Sequence, residues 1–78
     1  MIRELDLVVL THDVEEHNLK AGDVGAVVHC YDDNIGYEVE FVTAEGKTVA
    51  VLTLTADDIR PISHAEILHV REVSPVFA

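Results

Sequence analysis

An all-β fold of five short strands is what this sequence predicts, and three observations carry the prediction. Valine is plentiful and β-branched, whereas only 5% of residues are aromatic and none is Trp, so the core must be aliphatic and suited to pleated strands. Turn residues recur every 8–12 positions between apolar runs. No window of helical length shows a clean 3.6-residue period. With 78 residues the chain has room for one domain, residues 1–78, and only a modest core.

The first strand spans Glu4 to Leu10, with Leu5, Leu7 and Val9 on one face and Asp6, Val8 and Leu10 on the other. The polar run from Thr11 to Asn18 follows. It reads either as one helical turn capped by Thr11 or Asp13 or as an irregular loop, and a loop is preferred because so short a run does not nucleate a helix alone. Leu19-Lys20-Ala21-Gly22-Asp23-Val24-Gly25 then turns the chain into its second strand, and Gly22 and Gly25 are assigned to that turn. They do not make a phosphate loop, since no Lys-Ser/Thr follows and a strand, not a helix, comes next. Val24 to Tyr31 is apolar on both faces. Asp32 to Gly36 is a turn cluster.

Tyr37 to Val42 alternates most cleanly, with Tyr37, Val39 and Phe41 directed to the core and Glu38 and Glu40 to water. Thr43 to Lys47 is a hairpin turn with Gly46 at its left-handed position. Thr48 to Leu54 is the fourth strand. Thr55 to Pro61 reads as a short 3₁₀ turn, because Pro61 disfavours helical geometry at Arg60. The fifth strand is expected within Ala65 to Val73, on Ile67, Leu68 and Val70, so that residues 63–78 form a C-terminal strand and tail. A long bent strand, two tight hairpins, a 3₁₀ turn and a closing strand make the order of a small five-stranded SH3-like barrel.

Charge bounds function. Fifteen Asp and Glu stand against five Lys and Arg, a net charge of −10 with neutral histidines. That excludes a nucleic-acid backbone as the natural partner, because affinity there comes from cations on phosphates. It also argues against an anionic membrane surface, and no apolar run nears the length needed to span a bilayer. Acidity keeps a small protein soluble and steers it toward a basic partner. Cys30 is alone, so no internal disulfide forms, and a lone thiol without a leader peptide points to a reducing, cytoplasmic setting.

No catalytic constellation emerges. His29 and Cys30 are neighbours on a strand and point to opposite faces. Ser63 and Ser74 lack a nucleophile-elbow context. The weak metal candidates are His12, Asp13 and His17, with the histidines five apart where one helix face wants three or four; the ordinary reading is a solvated loop. His64 and His69 read as exposed polar residues, and Asp57 and Asp58 as turn residues. No cofactor is implied. What stands out is surplus apolar surface: the fourth strand is apolar on both faces, and a small barrel has one interior. Val49, Val51, Val76 and Phe77 are the candidate interface residues.

Gly-Asp-Val-Gly-Ala-Val-Val at 22–28, Tyr-Glu-Val-Glu-Phe at 37–41 and Asp-Asp-Ile-Arg-Pro at 57–61 follow one another at short intervals. As a set over residues 4–62 they resemble the small bacterial domain-of-unknown-function family 4926. The first piece is also distantly similar to KOW-type segments and to the barrel of nitrile hydratase β-subunits. The family resemblance implies a stand-alone SH3-like barrel, sometimes encoded beside toxin-like proteins, with no catalytic residues to transfer. The tail beyond Ser63 is longer than is usual there, and an added strand would pair with a neighbour.

The resulting expectation is a non-enzymatic acidic module that binds a basic protein partner, antitoxin-like or immunity-like, and that forms a homodimer. An accessory or assembly subunit of an enzyme, or a small histidine-based metal-binding protein, are the alternatives. Genomic neighbourhood, co-purification with a metalloenzyme and a zinc or nickel titration distinguish the three.

Overall fold

The computed structural model describes residues 2–32 and 35–73. Five strands form one antiparallel sheet: β1 (Leu7–Leu10), β2 (Val24–Cys30), β3 (Tyr37–Val42), β4 (Thr48–Leu54) and β5 (Ile59–Pro61). Their order across the sheet is β4-β3-β2-β1-β5, so β4 and β5 are its two ends. The all-β class and the five strands agree with expectation, and β3 and β4 match it end to end.

The core is aliphatic with two aromatic rings. Val8, Leu10, Val27, Val39, Phe41, Leu54 and Ile59 are buried, joined by Tyr37, Ala50, Leu19 and Ile2. On β3 the alternation holds: Tyr37, Val39 and Phe41 face inward, opposite Leu54, Leu52 and Ala50 of β4. Fully burying side chains of this kind contributes roughly 1.5–3 kcal/mol each. The ladder has irregularities between Val27 and His29 and between Phe41 and Val42. Bulges of this sort increase strand twist, which lets a short sheet wrap around its own core.

The turns follow the residues that define them. Gly46 has φ +88° in the hairpin that joins β3 to β4, where the Gly46 N–H donates to the Thr43 carbonyl at 2.9 Å. Gly22 has φ +96° in the turn that opens β2. Gly25 is a correction: it lies inside β2 without a positive φ, paired with Val8 of β1. Its importance is steric, since a Cβ there would sit 2.6 Å from Val39 Cγ1 and 2.8 Å from Phe41 Cε2.

Three further expectations are corrected. The 3₁₀ helix lies at Glu15–His17, within the segment read as a loop, and neither Thr11 nor Asp13 caps it. Its N-cap is Val14, whose backbone bridges to Leu19 and closes the excursion locally. At Thr55–Asp58 the chain makes a single turn, with the Asp58 N–H donating to the Thr55 carbonyl at 2.9 Å. The last strand is Ile59–Pro61, not a run within 65–73. Pro61 lacks an N–H but stands at the end of an edge strand, where one missing donor is tolerated. Residues 62–73 contain no strand; Ile67, Leu68 and Val70 are exposed.

Candidate interaction surface

Residues 62–73 cross the surface as a strap held by ion pairs. Arg60 donates to both oxygens of Glu66 at 2.8 and 2.6 Å, and the Ser63 N–H donates to the same carboxylate at 2.7 Å. Arg60 first and Ser63 second pull the Glu66 pKa down to about 2. Farther along, Arg71 Nε donates to Asp23 Oδ1 at 2.8 Å, and its Nη2 donates to Asp23 Oδ2 and to the Asn18 carbonyl. Burial works against the Asp23 carboxylate, but the guanidinium and the Lys20 N–H outweigh it and hold its pKa below the usual range. A bidentate pair of this kind fixes orientation as well as distance.

The second clamp places the strap beside the β3–β4 hairpin. Between them lies a groove of about 860 Å³. Leu19, Val24, Phe41, Val42 and Val49 supply apolar wall, while Glu45 and Glu72 add carboxylates and His69 an imidazole. The candidate interface residue Val49 is therefore in the groove, half-buried. Val51 is 49% exposed on β4. Val76 and Phe77 lie outside the described residues.

The metal candidates are directed to other partners. His12 Nε2 lies 2.7 Å from Asp58 Oδ1, and its Nδ1 lies 3.0 Å from the Asp13 carbonyl. The Asp13 carboxylate accepts the Ala21 N–H at 2.9 Å. His17 ends the 3₁₀ helix. Among the described residues no three His, Cys, Asp or Glu side chains come together as a metal site. His12, Asp58, Thr11 and Thr55 instead tie the first excursion to the turn before β5: the Thr11 N–H donates to the Asp58 carbonyl at 2.9 Å, and the Thr55 N–H to Asp58 Oδ2 at 2.9 Å. The hydrogen bonds that Asp58 first and the Asp13 carbonyl second accept from the imidazole raise the His12 pKa, while His12 and then Thr55 lower that of Asp58.

Cys30 is half-buried, its thiol 3.9 Å from the Ile2 carbonyl. Glu38 and Glu40 accept hydrogen bonds from Thr53 and Thr48 across the ladder, the latter at 2.8 Å. The residues that sequence reasoning missed are Asp23 and Arg71. The available signal was Arg71 itself, one of only five Lys and Arg in the chain.

The fold and surface define a small all-β domain with a groove beside its β3–β4 hairpin. The family model described as domain of unknown function (DUF4926) matches residues 4–61, and the chain belongs to that family. The match ends at the last residue of β5, so the strap and its half of the groove lie beyond it. Comparisons with curated proteins and with solved structures find no match. No helix among the described residues is long and apolar enough to cross a membrane.

Proposed function

We propose that this protein is a non-enzymatic binding module for a basic protein, and that the groove between the β3–β4 hairpin and the strap receives it. One observation carries the reading: an apolar groove bordered by Glu45 and Glu72 on a chain of net charge −10. Apolar walls reward burial of aliphatic stems, and rim carboxylates reward the cationic heads those stems carry. Masking a basic partner, as an antitoxin or immunity protein does, is the specific form that the charge favours, in a cytoplasmic bacterial setting.

The test is affinity capture from cells of the source organism with three baits: the wild-type chain, Val49→Asp and Glu45→Lys. The reading expects one basic protein retained by the wild type and lost with both variants. It also expects that binding to weaken steeply with added salt. Equal retention by all three baits, or no retained protein, overturns it.

A further inference from the structure

The two ends of the sheet are protected very differently. β5 has three residues and ends in Pro61, a short edge that offers little to another strand. β4 has seven residues, with neither proline nor charged side chain. It lies within the longest stretch of the chain that lacks Asp, Glu, Lys and Arg, residues 48–56. Among the described residues no strand lies beyond it, and no backbone group of Thr48–Leu54 bonds outside its ladder with β3. An edge this long and this plain is a template for another strand.

We infer that the β4 edge pairs with the β4 edge of a second copy of this chain, antiparallel about a two-fold axis at Val51. Three features select a second copy rather than the basic partner. First, two chains of charge −10 repel wherever carboxylates meet, and β4 is a neutral strip on an acidic molecule. Glu38 and Glu40, carried by β3, accept hydrogen bonds from Thr53 and Thr48 of β4, so these two carboxylates are already engaged within their own chain. Second, the strand is self-complementary about its middle residue. With Val51 opposite Val51 of the other copy, Val49 meets Thr53 on one face, and Ala50 meets Leu52 on the other. The first pair is β-branched on β-branched, and the second sets a small side chain against a large one. Third, Val51 is 49% exposed in the single chain and becomes central in the pair. An antiparallel edge pairing of identical strands is isologous and closes at two copies, so it yields a dimer rather than a fibre.

The experiment is sedimentation of the full chain, with three variants beside the wild type. A wild-type mass of twice 8.6 kDa is expected. Val51→Lys places a common edge-guarding residue at an already exposed position and is expected to reduce the mass to one chain, with the circular dichroism of the fold retained. The double variant Ile67→Asp with Val70→Asp alters the exposed strap and is expected to leave the dimer intact. Val51→Cys in a Cys30→Ala background is expected to form a disulfide-linked dimer on oxidation. A monomeric wild type overturns the inference and leaves the groove reading standing, since that is judged by capture of a basic protein. A dimer that survives Val51→Lys but is lost on changing the strap also overturns it, and transfers the contact to residues 67–70.

Discussion

Gly25 lies in β2 at the point where the Phe41 ring of β3 packs against the backbone: a Cβ on Gly25 would lie 2.8 Å from Phe41 Cε2 and 3.0 Å from Cδ2. Glycine is required there for space, not for an unusual φ. Gly25→Ala is therefore expected to destabilise by about 1–3 kcal/mol, the usual range for overpacking a core. Urea unfolding measures it. In a Phe41→Leu background the penalty is expected to shrink, because the obstructing ring edge is gone; an unchanged penalty would remove Phe41 from the explanation.

Gly22 and Gly46 make the opposite case. Their φ values are +96° and +88°, and no atom lies within 4 Å of a Cβ built on either. Gly22→Ala and Gly46→Ala are each expected to lose about 1 kcal/mol through backbone conformation alone. The loss is expected to be the same with Phe or Leu at position 41. Asn at either site is expected to recover part of it, since Asn enters the left-handed region more readily than Ala.

The Asp23–Arg71 clamp is expected to open in acid. Because the carboxylate of the folded chain has a lowered pKa, folding favours its ionised form. Its contribution is fully present above the unfolded value near 3.8 and is lost as pH falls through the folded value. Backbone amide signals of residues 69–72 are expected to move over that window before the signals of β2 and β3 change. Asp23→Asn is expected to give the moved positions already at neutral pH.

The His12–Asp58 contact has two limits. His12 is raised, so its contribution is complete below an unfolded value near 6.5 and is lost as pH rises through the folded value. Asp58 is lowered, so its own contribution is complete above an unfolded value near 3.8 and is lost as pH falls through its folded value. The tie between the first excursion and the turn before β5 is thus strongest between those two limits. A ¹H–¹³C titration of the His12 ring is expected to show a midpoint above that of a free histidine. Asp58→Asn is expected to lower it, and an unmoved midpoint would separate His12 from Asp58 in solution.

Strict alternation made β3 readable residue by residue, and the glycine of its hairpin fixed the start of β4. The fifth strand was not readable because local propensity pointed elsewhere. Ile67-Leu68-His69-Val70 is the better strand by composition, yet Ile59-Arg60-Pro61 holds the edge, since Val8–Leu10 of β1 pairs with it. Gly25 was misread for a related reason. A glycine near a turn looks like part of the turn, and the side chains that demand it, Val39 and Phe41, lie on another strand. The groove was legible only in halves: Val49 announced an apolar surface, but the Asp23–Arg71 contact that builds the other wall spans 48 positions. The 3₁₀ turn at Glu15–His17 falls in the run where one helical turn is the alternative to a loop; the Val14–Leu19 bridge that closes around it, not a cap at Thr11 or Asp13, sets its place.

The strap is held by two of the chain's five Lys and Arg, Arg60 and Arg71, and both of those ion pairs reach solvent. Exposed pairs weaken as mobile ions screen them, over a distance of about 10 Å at 0.1 M salt. The hydrophobic packing that holds the sheet together has no such dependence. Ionic strength therefore acts selectively on this molecule: brine loosens the outer wall of the groove while the sheet beneath stays intact, so the accessibility of that surface follows the electrolyte around it.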